Sequence, residues 1–173
     1  TKKSPSSKKS GSDENVFSDP NSPMSVREVS THYKGDLMCL DILKKHRGNS
    51  HLDGLCQGQA VQLLGALAFG DDLVRRRAGE NGAMDMVIYA MEHYGIADEK
   101  VLLHCLTTIT NLAHNSQDNR HRFLDANGLE ILTDAMEVHI NSPKVQRQGC
   151  WALLTLAGSD ETARLVAQGG GSR

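Results

Sequence analysis

From Gly35 onward, apolar residues recur at helical spacing. Residues 51–69 place Cys56, Ala60, Leu63, Leu64 and Leu67 on one stripe. Residues 98–114 do the same with Leu102, Cys105, Leu106, Ile109, Leu112 and Ala113, and residues 143–157 with Val145, Gly149, Ala152, Leu153 and Leu156. This i, i+3/i+4, i+7 pattern predicts three long amphipathic helices. A shorter one, residues 36–46 with Leu37, Leu40, Ile42 and Leu43, precedes them and is broken by Gly48-Asn49-Ser50. Ser142 is placed to cap the third long helix, and Pro143 fits its first turn, where a missing N–H is no loss. Between successive long helices the pattern predicts two short ones. Residues 72–80 and 83–94 are split by Asn81-Gly82, and residues 118–126 and 129–140 by Asn127-Gly128, pairs suited to left-handed backbone at a sharp turn. Ser159, Asp160 and Glu161 open one more short helix, which meets Gly169-Gly170-Gly171.

These elements repeat. Gly65-Ala66-Leu67-Ala68 returns as Thr110-Asn111-Leu112-Ala113 and as Leu154-Thr155-Leu156-Ala157, at steps of 45 and 44 residues. Ala90-Met91-Glu92 recurs as Ala135-Met136-Glu137, Asn81-Gly82 pairs with Asn127-Gly128, and Gly169-Gly170 fills the matching slot in the last copy. A period of this length implies small helical units that cannot bury their apolar faces alone and close a core by stacking. The expectation is an all-α stack over residues 35–173, with a partial first unit, central units at about 72–115 and 118–158, and a truncated last unit. Its terminal faces are expected to be sticky, so self-association is expected as well. Met84, Met86, Met91 and Met136 fall on the second short helices and read as core filler.

Residues 1–34 are of another material. Ser, Lys, Asn, Asp and Pro dominate, and the few apolar residues are aperiodic, so a flexible tail is expected. Ser4-Pro5 and Ser22-Pro23 are candidate sites for proline-directed phosphorylation. Apolar residues make up 39% of the chain and aromatics 4%, a balance that suits closely packed helices better than a β-sandwich. A net charge of −2 provides no global field toward nucleic acid or an acidic membrane. No run approaches a membrane span and no signal peptide is evident. Cys39, Cys56, Cys105 and Cys150 are widely spread without a C-x-x-C, which fits a reducing, intracellular setting, cytoplasmic or nuclear.

Asn119-Arg120 through Phe123-Leu124 to Asn127-Gly128-Leu129, the run Thr110-Asn111-Leu112-Ala113, and Val145-Gln146 with Gly149-Cys150-Trp151-Ala152-Leu153 and Leu156-Ala157 together resemble armadillo repeats. The resemblance covers roughly residues 35–171 and implies a right-handed α-solenoid of three-helix units. HEAT repeats share the period but usually have two helices per unit and lack this glycine turn. Armadillo arrays line a concave groove with their long third helices and grip extended peptides there. Importin-α-like members use a Trp one turn before an Asn. In this chain Asn111 has Thr107 at the Trp position, Trp151 has Thr155 at the Asn position, and Gln62 with Ala66 carries neither. The departure counts against nuclear-signal recognition, and the resemblance implies a binding scaffold whose ligand class it leaves open. A weaker likeness of the Val145 to Ala157 stretch to leucine-rich-repeat kinases implies an alternative role, as a regulatory module of a multidomain signalling enzyme.

With the apolar stripe facing the core, helical geometry turns the following residues toward the groove: Gln59, Gln62 and Ala66; Lys100, His104, Thr107 and Asn111; Lys144, Gln148, Trp151 and Thr155. Asn111 offers donor and acceptor to a peptide backbone and Trp151 a large rigid contact, against the plainer alternative that Trp151 packs between units and Asn111 caps a turn. Arg75-Arg76-Arg77, just after Asp71-Asp72 and without an aromatic platform, reads as a solvated helix face rather than a nucleic-acid contact. The eight histidines have no metal-ligand spacing, and neither metal nor cofactor is expected. No phosphate-cradling loop, nucleophile elbow or His-Glu-x-x-His occurs, so the chain reads as a non-enzymatic scaffold whose partner is a protein or extended peptide.

Overall fold

A computed structural model of the chain describes residues 33–169, and every regular element among them is helical. In order these are α1 (Gly35–Lys45), α2 (His51–Ala68), α3 (Asp72–Glu80), α4 (Ala83–Ala90) continued by a π turn (Met91–Gly95), α5 (Glu99–Ala113), α6 (Gln117–Asp125), α7 (Gly128–Val138), α8 (Pro143–Leu156) and α9 (Asp160–Gly169). The Ser/Lys-rich segment up to residue 32, with both Ser-Pro pairs, and Gly170-Gly171 lie outside the described residues. Side chains set the helix starts by satisfying N–H groups that have no partner within the helix. Ser50 and Asp53 form a reciprocal capping box on α2. Asp71 accepts from the amides of Leu73 and Val74, Asp98 from those of Lys100 and Val101, and Ser116 from that of Asn119. Ser142 caps α8 through Val145, with Pro143 in the first turn, as the sequence predicts.

The long helices lie side by side, α2 against α5 and α5 against α8. Their inward stripes, including Leu64, Leu67, Leu102, Ile109, Leu112, Val145 and Leu156, join Met84, Met91, Phe123 and Leu132 of the short helices in one continuous buried cluster. Met136 is only partly buried at its edge. Leu63 departs from the expected stripe and is 41% exposed. Leu63 lies on the side of α2 away from α5, where no long helix covers it among the described residues. The position corresponding to Leu63 on α5 is Thr108, which is buried against α2.

At the α2–α5 contact the backbones come close. A Cβ on Gly65 would stand 3.2 Å from the Cα of Thr108. Thr108 Oγ1 donates to the carbonyl of Val61 at 2.9 Å, and Asn111 Nδ2 donates to the carbonyl of Gly65 at 3.0 Å. Two further side-chain-to-backbone bonds occur twice at the repeat spacing. Arg75 donates to the carbonyl of Ala68 and Arg120 to that of Ala113. Gln57 Nε2 bonds the carbonyls of Leu43 and His46, and Gln146 Nε2 those of Met136 and His139. The intervening long helix has Leu102 at that position, and there the preceding helix closes its own end as a π turn, with the amide of Ile96 on the carbonyl of Met91. The pattern predicts one α-helix over residues 83–94; the structure instead ends the α-helix at Ala90 and continues it as a π turn. Ala90 to Ala135 is a step of 45 residues, whereas the caps Asp98 and Ser142 are 44 apart. The π turn absorbs the one-residue difference.

The two turns between short helices correspond with a shift of one. Gly82 takes the left-handed position in the first (φ 83°), but Asn127 takes it in the second (φ 57°), leaving Gly128 as the first residue of α7. Asn81-Gly82 and Asn127-Gly128 are thus not structural equivalents; Gly82 matches Asn127 and Ala83 matches Gly128. The reason is steric. A Cβ at residue 128 would lie 2.6 Å from the fully buried ring of Phe123, whereas the residue corresponding to Phe123 in the previous unit is Ala78. Gly128→Ala should therefore cost about 1–3 kcal/mol, and less than additively when combined with Phe123→Leu. Chemical denaturation of the two single variants and the double variant measures this.

Candidate functional site

A groove of about 800 Å³ runs between the last turns of α2 and the middle of α5. Gln62, Ala66, Phe69 and Asp71 line one wall, and His104, Thr107 and Asn111 the other, with Gly65, Leu67, Gly70 and Thr108 at its floor and end. Four of the positions expected to face a ligand, Gln62, His104, Thr107 and Asn111, thus come together, along with Ala66. The remaining ones do not line this groove. Gln59 is exposed one turn earlier on α2, Lys100 is exposed near the start of α5, and Lys144 and Trp151 are exposed on α8. Gln148 and Thr155 are partly buried on α8, where Thr155 donates to the carbonyl of Trp151. Trp151 is 58% exposed, so it is not packed between the described units.

Four of the groove residues have a defined hydrogen-bonding state. The Asn111 amide nitrogen is committed to the Gly65 carbonyl, which leaves Oδ1 as the acceptor it can offer a ligand. Thr107 donates its hydroxyl proton to the carbonyl of Leu103, one turn back in α5, and keeps acceptor capacity. Asp71 uses one carboxylate oxygen to cap α3. Nε2 of His104 is buried without a hydrogen-bond partner. Burial lowers the imidazole pKa below its ordinary value; the nearby Lys100 charge pushes the same way, and Asp98 opposes both. The ring is neutral at pH 7. Phe69, just past the end of α2, is 76% exposed and forms an apolar plate at the rim.

Sequence reasoning missed Phe69 and Asp71, although a signal was present. The counterparts of Phe69 at the repeat spacing are His114 and Gly158, so this position is not one the core requires to be apolar. Asp71 reads first as a helix cap, which it is, and its place in the groove follows only from the turn of the chain at Gly70.

The Arg75-Arg76-Arg77 run corrects the expectation of a solvated face. Arg75 is buried, donating to the carbonyl of Ala68 and pairing with Asp72. Arg77 pairs through two nitrogens, at 2.7 and 2.6 Å, with the fully buried Asp36 of α1. Of the three, only Arg76 is exposed. The basic run is mostly internal wiring, since a buried carboxylate is held by a bidentate guanidinium and helix ends are held by arginine donors. Two of the histidines are likewise engaged within the fold. His139 lies 3.1 Å from the carbonyl of Ile96, and His93 stacks on Tyr89. Among the described residues no three His, Cys, Asp or Glu side chains are grouped to hold a metal ion. No described helix is long and apolar enough to cross a membrane.

The four cysteines are free, with Cys39 and Cys105 buried, Cys56 half-buried and Cys150 exposed. Burial pushes the Cys39 thiol up to about 11, with the Asp36 charge adding to it, and burial alone raises that of Cys105. No family model, curated protein or solved structure matches the chain.

Two measurements test this chemistry. With a thiol reagent at neutral pH, Cys150 should react fastest, and Cys39 and Cys105 only on unfolding. His104 has a folded pKa below its unfolded one, so the unfolded chain takes up the proton first and stability falls as pH drops through about 6.5. The loss of melting temperature between about pH 7.5 and about pH 5.5 should therefore be smaller in His104→Gln than in the parent chain.

Proposed function

We propose that the chain is a non-enzymatic protein-interaction module, a right-handed solenoid segment of armadillo type, that holds an extended polypeptide of a partner in the α2–α5 groove. In this reading it works inside the cell as part of a larger protein or assembly. The observation that carries it is the groove itself: two successive long helices present Gln62 on one wall and His104, Thr107 and Asn111 on the other across an open floor. An extended peptide has backbone N–H and C=O groups left without partners at each residue. Gln62 can donate and accept, while Asn111 Oδ1, Thr107 Oγ1 and the free oxygen of Asp71 accept, so the groove pairs a backbone without reading its sequence. Phe69 supplies a rigid plate for an apolar or cationic side chain at little entropic cost. The internal engagement of Arg75 and Arg77 weighs against a nucleic-acid surface, which needs free basic groups along a phosphate track.

The test is selection of binders from a random peptide library displayed on phage, followed by solution affinities for groove-filling variants. Ala66→Trp and Thr107→Trp, both at exposed positions, should weaken the selected peptide by about tenfold or more, about 1.4 kcal/mol, while leaving the melting temperature nearly unchanged. Undiminished binding by both variants, or a preference for an oligonucleotide with steep salt dependence, overturns the reading.

A further inference from the structure

α5 is covered on both sides, by α2 on one and α8 on the other. Among the described residues α8 has a long helix on one side only. The positions on α2 and α5 that turn toward the next long helix are Val61 and Gly65, then Leu106 and Thr110 at the repeat spacing. Val61 and Leu106 are fully buried, and Thr110 is 8% exposed. Their counterparts on α8 are Cys150, which is exposed, and Leu154, which is 66% exposed. At the other end the relation is reversed. α5 meets its predecessor with Val101 and Thr108, and the matching residues of α8 are Val145 and Ala152; all four are buried. The counterparts on α2 are Cys56 and Leu63, which no long helix covers among the described residues. Among the described residues, one chain therefore carries both halves of an unmade copy of its own internal joint, and both halves are apolar.

We propose that copies of this chain associate head to tail, the Cys150/Leu154 face of α8 in one copy covering the Cys56/Leu63 face of α2 in the next. The occupant is a second copy because the contact continues the α2–α5 and α5–α8 interfaces in the same register. The joint is wider than the internal one. Leu154 opposite Leu63 replaces Gly65 opposite Thr108, and the Thr108–Val61 hydrogen bond has no counterpart, so association is weaker than intrachain packing and reversible. The joint also builds a site. Trp151 and Thr155 correspond to Gln62 and Ala66, and Gln59, Gln62 and Ala66 of the second copy correspond to His104, Thr107 and Asn111. A second groove, walled by Trp151, is completed only between copies. Such a contact is heterologous, so it propagates until one of the two faces is blocked.

Sedimentation velocity of the full chain from about 1 to about 200 µM tests this, the range in which a contact of modest affinity becomes populated. The parent chain should sediment faster with concentration, and Leu154→Glu and Leu63→Glu should each weaken association by about tenfold or more. Both residues are exposed, and circular dichroism checks that each variant keeps its helices. Because each variant spoils a different face, an equimolar mixture should form a dimer of one copy of each and grow no further. A parent chain that stays a single monomeric species overturns the proposal. So does a Leu63→Glu chain that associates like the parent, which would mean that α8 meets itself or something else. A mixture of two folded variants that stays monomeric overturns it too.

Discussion

Close approach of the long helices at the α2–α5 contact is the constraint from which the rest of the described structure follows. Gly65 lets the α5 backbone in to the distance at which Thr108 can reach the Val61 carbonyl and Asn111 the Gly65 carbonyl. Both bonds tie a side chain of one helix to the main chain of its neighbour, so they set axial register as well as separation. With the register set, Ala66 and Gln62 stand opposite His104 and Thr107, and the groove has walls. A bulkier residue at 65 would part the helices and open the cluster beneath, where Leu64, Leu102 and Ile109 have no contact with water.

Helix ends are the second recurring problem, because every end leaves carbonyls without partners. The chain meets it with long polar side chains from the next element. Gln57 and Gln146 each bond two carbonyls, and Arg75 and Arg120 each close the end of a long helix. Where Leu102 removes the glutamine, the helix end rewinds into a π turn and supplies its own donor. Asn119, fully buried, holds carbonyls of Arg75 and Leu112 and so fastens α6 to two earlier elements at once. Much of the polar inventory is occupied in this way, and the groups left to face a ligand cluster where two long helices diverge.

That division also shapes the proposed recognition. A groove whose acceptors outnumber its donors, with a neutral imidazole and an exposed phenyl ring at hand, suits an extended chain better than an anion. The same stacking geometry that makes one groove inside the chain would make a second between copies, with Trp151 as its wall. Ligand binding and association would then be coupled through shared residues rather than through a conformational change.

The helices and their repetition were legible in the chain, because hydrophobic spacing and capping residues are local properties. The starts at Ser50, Asp71, Asp98 and Ser142 need only a few consecutive residues to specify them. Part of the candidate groove was legible for the same reason: His104, Thr107 and Asn111 share one face of α5, and Gln62 lies on the corresponding face of α2. What required the tertiary structure was everything that depends on who the neighbour is. Leu63 and Thr108 occupy the same place in their repeats, yet one is exposed and the other buried, since only one has a long helix beside it. Arg75 and Arg77 read as a charged surface until Ala68, Asp72 and Asp36 are brought against them. Phe69 joins the site because the chain turns at Gly70. Local sequence sets which face of a helix is apolar; three-dimensional contact alone sets which of those faces finds a partner.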